Sequence, residues 1–86
     1  MKGVKKAISE YRSAKKVGLN PHIILNRRSG EVHCDVVHGQ DWRAYADGAY
    51  INLLNWAREV GYRIENVTMA TVADLATVAI NDYKED

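Results

Sequence analysis

The sequence predicts a small α+β domain in the order αββαβα, and three observations predict it. Residues 41–60 carry apolar side chains at helical spacing, residues 22–36 separate into two faces at strand spacing, and Gly and Asn-Pro breaks mark segment ends. The expected architecture is a small three-stranded sheet, made of a β-hairpin plus one strand, with helices on one face and a long central helix over about 41–60. If residues 62–69 form a loop, a two-stranded hairpin over a helical bundle remains. The 86 residues form a single domain, 1–86, large enough to bury roughly 60–65% of its unfolded surface.

The first helix is expected from about Val4 to Val17. Val4, Ala7, Ile8, Tyr11 and Ala14 share one side, and Gly18 supplies the C-terminal stop. Asn20-Pro21 then forces an extended path into a hairpin. Asn26 to Gly30 has the chemistry of a four-residue loop, with Gly30 at positive φ. Pairing Asn26 with Glu31 places Leu25 opposite Val32, Ile24 opposite His33, Ile23 opposite Cys34 and His22 opposite Asp35. In that register Ile23, Leu25, Val32, Cys34 and Val36 make an apolar face, and a one-residue shift would mix both faces.

The central helix rests on Trp42, Tyr45, Ala46, Ala49, Leu53, Trp56, Ala57 and Val60, between Asp41 as N-cap and Gly61 as C-terminal stop. Gly48 inside it costs about 1 kcal/mol against Ala, or breaks it into two segments. Tyr62-Arg63-Ile64-Glu65 alternates as a short third strand. Thr71 and Asp74 then read as a capping box for a last helix carrying Val72, Leu75, Ala76, Ala79 and Tyr83 and ending near Tyr83.

Charge is divided unevenly along the chain. Residues 1–30 hold eight Lys/Arg against the single Glu10, a net of +7, whereas residues 31–86 hold four against ten Asp/Glu, a net of −6. Lys2, Lys5, Arg12 and Lys16 form a stripe opposite the apolar side of the first helix, and Arg27 and Arg28 stand at the hairpin tip. Six such cations offer a basic patch to an acidic protein or a phosphate backbone. Neutralisation of one half by the other on folding is the structural alternative.

The single cysteine excludes an internal disulfide and suits a reducing compartment. No apolar run of signal-peptide or membrane-span length is present in these residues, so a cytoplasmic location is expected. Cys34 and His33 point to opposite faces of one strand, and Cys34 and His38 are about 13 Å apart along it, so neither pair makes a nucleophile dyad. Cys34 is read as a small core residue. His22, His33 and Asp35 share a strand face, with His22 and Asp35 about 5 Å apart at Cβ, and they are the candidate metal ligands; a cross-strand hydrogen bond accounts for them equally. No glycine-rich phosphate loop or catalytic set is recognisable, and no cofactor is implied.

Ile51 and Leu54 fall outside the apolar stripe of the central helix and suggest a second packing surface, hence a homodimer contact. The leading functional expectation is a small non-enzymatic protein-interaction module, of the regulator or inhibitor type found in bacteria or phages. The alternative is a nucleic-acid binder using the first helix and hairpin tip, with steep salt dependence. A metal-dependent hydrolase at His22, His33 and Asp35 ranks third.

Overall fold

The computed structural model describes residues 1–36 and 49–85, the last three of these by their backbone alone. Trp42, Tyr45 and Ala46 of the expected central stripe, its N-cap Asp41, the internal Gly48, and His38 lie outside the described residues. Within them the order is α1 (Val4–Lys16), β1 (His22–Asn26), β2 (Glu31–Asp35), β3 (Tyr50–Asn52), α2 (Leu53–Glu59) and α3 (Met69–Glu85). The strands form one antiparallel sheet in the order β2-β1-β3. The α+β class and a three-stranded sheet are therefore present, although the third strand is a different segment from the one expected.

The hairpin has the register its two-face pattern requires, from His22 opposite Asp35 to Asn26 opposite Glu31. Asn26 organises the turn. Its Oδ1 accepts from the N–H groups of Arg28 and Ser29 at 3.0 and 3.2 Å, and its carbonyl accepts from Gly30 N–H at 2.8 Å. Gly30 has φ +70, as the loop demands. Ile23, Leu25 and Val32 are buried on one face and Cys34 is half-buried beside them, whereas Val36 is exposed.

Residues 50–52 are strand, which corrects the continuous helix expected over 41–60. Ile51 lies opposite Leu25 on the core face and is 0% exposed, as a strand residue between two packed layers should be. Asn52 then starts α2, with its Oδ1 accepting from Asn55 N–H at 3.3 Å. The helix stops at Gly61, φ +86, where the N–H groups of Gly61 and Tyr62 bond back to Arg58 O and Ala57 O. Tyr62 thus spends its N–H on the helix end. Residues 62–64 form no strand, and the third-strand expectation there is overturned. Ile64 and Val67 instead tuck against the core from a connecting segment.

Thr68 caps α3, accepting from Thr71 N–H at 3.1 Å, so the cap stands three residues before the Thr71-Asp74 capping box expected. It also continues past Tyr83 to Glu85. All three helices pack on the same side of the sheet: α1 against β2 and β1, α2 against β1, and α3 against both helices. Val4, Ala7 and Ile8 meet Ile23, Leu25, Val32 and Ile51 there, with Trp56 and Ala57 of α2 and Val72, Leu75, Ala76 and Ala79 of α3 closing the core. Each large aliphatic in that cluster contributes about 1.5–3 kcal/mol on burial.

Candidate functional site

The chain reaches α1 along the outer edge of β2. Lys2 bridges to Glu31 in parallel register, and its carbonyl accepts from Val32 N–H at 2.8 Å. Gly3 then turns the chain at φ +83 into Val4. This anchorage places Val4, Ala7, Ile8 and Ala14 on the core and leaves Lys2, Lys5, Arg12 and Lys16 exposed.

Lys5, Arg12 and Lys16 line a shallow groove of about 450 Å³, together with Ile8, Ser9, Ser13 and Met69. The spacing of five, twelve and sixteen puts the three cations on one flank of the helix, across about 16 Å of its length. Met69 reaches the same groove from the first turn of α3 and is 50% exposed. Arg12 is also tied down, its Nη2 donating to Val67 O at 2.9 Å. Among the described residues no Asp or Glu belongs to the walls. The groove therefore offers three positive charges and two hydroxyls over an apolar floor.

The other cations of the expected patch are elsewhere. Arg28 is exposed and Arg27 half-buried at the hairpin tip, where Arg27 N–H bonds Ala49 O at 2.6 Å. Lys2 stands between tip and helix, beside Glu31, and neither it nor the two arginines lines the groove. Sequence spacing found the α1 cations but not Met69, Ser13 or Ile8 as their companions. The helical stripe was visible; the approach of α3 depends on tertiary packing.

The candidate metal ligands do not come together. His22 lies opposite Asp35, but its Nδ1 is engaged at 2.7 Å by the side-chain amide of Asn52. The ring of His33 turns to Tyr50, edge to face at 6.1 Å. Among the described residues no three His, Cys, Asp or Glu side chains group closely enough to hold a metal ion. The proposed dimer residues are also accounted for inside the molecule, since Ile51 is sealed in the core and Leu54 is half-buried against it. That corrects Ile51 as a docking residue: a side chain with no exposed surface cannot reach a partner.

Cys34 behaves as a core thiol. Burial, reinforced by the negative charges of Glu10 and Asp35, pushes it up from 9.0 to about 11. A nucleophilic cysteine needs the opposite environment. Among the described residues no helix is long and apolar enough to cross a membrane.

Compared with known proteins, the chain matches no family model, no curated protein and no solved structure.

Proposed function

We propose that the chain is a small non-enzymatic interaction module that docks an acidic segment of a protein partner in the groove beside α1. The observation that carries this reading is the groove itself: Lys5, Arg12 and Lys16 converge on it with Ser9 and Ser13, and no carboxylate intervenes among its described walls. The apolar floor favours a peptide over a nucleic acid. Met69 is a flexible, polarizable side chain suited to gripping an apolar residue between acidic ones, and a phosphate backbone has no use for it. The footprint is short as well. A long nucleic acid leaving the groove would meet a chain whose residues 31–86 carry a net −6.

The test uses a fluorescently labelled peptide of alternating Glu and Leu and a DNA duplex, each titrated with the protein at two salt concentrations. Peptide binding should weaken with salt, fall tenfold or more in Lys5→Glu/Lys16→Glu, and weaken in Met69→Ser. Tighter binding of the duplex, untouched by Met69→Ser, would assign the groove to nucleic acid instead. Binding of neither probe, or equal binding by the charge-reversed variant, removes the groove from recognition altogether.

A further inference from the structure

On another flank of α1 the structure holds a second, smaller concavity, and we propose that it binds a small oxyanion, the carboxylate or phosphate group of a low-molecular-weight ligand. The pocket measures about 230 Å³, and Tyr11, Lys15, His22, Asn52, Asn55 and Arg58 contribute its polar walls. Its volume lies below the roughly 300–1,000 Å³ of pockets for drug-sized ligands, so it suits a ligand of few atoms. Both cations are exposed side chains on separate elements, Lys15 in the last turn of α1 and Arg58 in the last turn of α2. Lys15 Nζ stands 5.9 Å from the centre of the Tyr11 ring. Among the described residues no Asp or Glu lines the pocket.

The polar floor is set by a chain of bonds that fixes its own proton positions. Asn55 N–H can only donate, so the Asn52 atom that it meets at 3.3 Å is the amide oxygen. The amide nitrogen of Asn52 then faces His22 Nδ1 at 2.7 Å and donates to it. A neutral His22 must consequently carry its hydrogen on Nε2. That atom is buried and has no hydrogen-bond partner among the described residues. Asn52 itself is 0% exposed, so this arrangement is not a chance surface contact. A buried donor left without an acceptor is destabilising, and this one, sealed from solvent, lies behind the pocket surface and is not itself offered to a ligand. Two exposed cations on separate elements and a phenol, with no carboxylate among the described walls of the pocket, describe a site for negatively charged oxygen.

Nothing in this proposal depends on the groove at Lys5, Arg12 and Lys16, which lies on a different flank of α1. The experiment is a two-dimensional amide NMR titration with inorganic phosphate, and separately with acetate, at ionic strength held constant with chloride. Phosphate should produce saturable shifts at Asn52, Asn55 and Arg58, with a Kd of about 1 mM. Arg58→Gln and Lys15→Gln should each weaken that binding tenfold or more, and because both side chains are exposed the variants keep the fold. Saturation by phosphate alone identifies a phosphate ligand, and saturation by acetate as well identifies a general carboxylate or phosphate site. Shifts that fail to saturate, or that survive both substitutions, overturn the proposal. So does loss of the shifts in Lys5→Glu/Lys16→Glu, because the anion would then sit in the α1 groove.

Discussion

Gly3 and Gly18 have nearly the same backbone, φ +83 and +84, in different surroundings. A Cβ on Gly18 meets nothing within 4 Å, whereas one on Gly3 would collide with the carbonyl oxygen of Val32. Gly18→Ala should therefore cost only the left-handed penalty of about 1–2 kcal/mol. Gly3→Ala adds displacement of a β2 carbonyl next to the Val32–Lys2 bond, and should exceed the first loss by at least about 1 kcal/mol. Urea unfolding of both variants decides this, and equal losses would mean that the edge of β2 yields freely. Cys34 is a second residue whose surroundings set its behaviour. With its thiol raised from 9.0 to about 11, the thiolate in the folded protein near pH 8 is scarcer on the order of a hundredfold. Labelling by a thiol reagent should be slow when folded and rapid in denaturant, and prompt native labelling would contradict the half-buried placement. The sign for stability follows. A raised folded value favours the protonated form, so the contribution is whole below pH 9 and is lost as pH rises toward 11. Tyr11, also raised by burial, acts in the same direction at higher pH. Unfolding midpoints should decline through that alkaline window, and by less in Cys34→Ala.

Among the elements, the hairpin was legible because two independent signals agree: the Asn26 to Gly30 turn chemistry and a binary pattern that tolerates one register. β3 was not legible, since three residues cannot display a period against a helical stripe that continues on both sides of them. The clue lay in the misfit. Ile51 falls off the helical stripe because it obeys strand geometry, facing Leu25 across the sheet. Tyr62 to Glu65 erred in the other direction: of the alternating pair only Ile64 turns inward, while Tyr62 stays exposed and gives its N–H to the end of α2. For the groove, the cations could be read from α1 alone, but Met69 could not, because its position follows from how α3 meets α1. Asn52 joins the two misread elements, ending β3 and capping α2 while engaging His22. Asn52→Ala removes the cap and leaves Asn55 N–H and His22 Nδ1 without their partner. Loss of a cap costs about 0.5–2 kcal/mol, and a stranded buried acceptor adds about 1–3 kcal/mol. Asn52→Asp, which keeps the cap oxygen but not the amide donor, should recover part of the loss in thermal unfolding. No difference between the two variants would show that the cap contributes nothing, and full recovery in Asn52→Asp would show that the His22 bond contributes nothing.

At the scale of the whole molecule, the question is whether the +7 of residues 1–30 and the −6 of residues 31–86 neutralise one another or occupy separate surfaces. The groove beside α1 favours separation, because its three cations share walls with serines, Ile8 and Met69. Arg12 differs from its neighbours, since its bond to Val67 O ties α1 to the segment joining α2 and α3. Stability and recognition can therefore be separated by variant. Lys5→Glu/Lys16→Glu alters exposed side chains only, and such substitutions usually stay within about 0.5 kcal/mol. Arg12→Gln removes a long-range hydrogen bond, for which a net loss of about 0.5–1.5 kcal/mol is usual. In a domain of this size each kcal/mol moves the melting temperature by about 4–8 °C. The lysine double variant should thus melt within a few degrees of the parent at low salt, while Arg12→Gln melts visibly lower. If the double variant instead falls as far as Arg12→Gln, and added salt brings variant and parent together, the lysines are paired with the acidic half in the fold. In that outcome the charge asymmetry serves stability, and α1 has no free basic face to present to a partner.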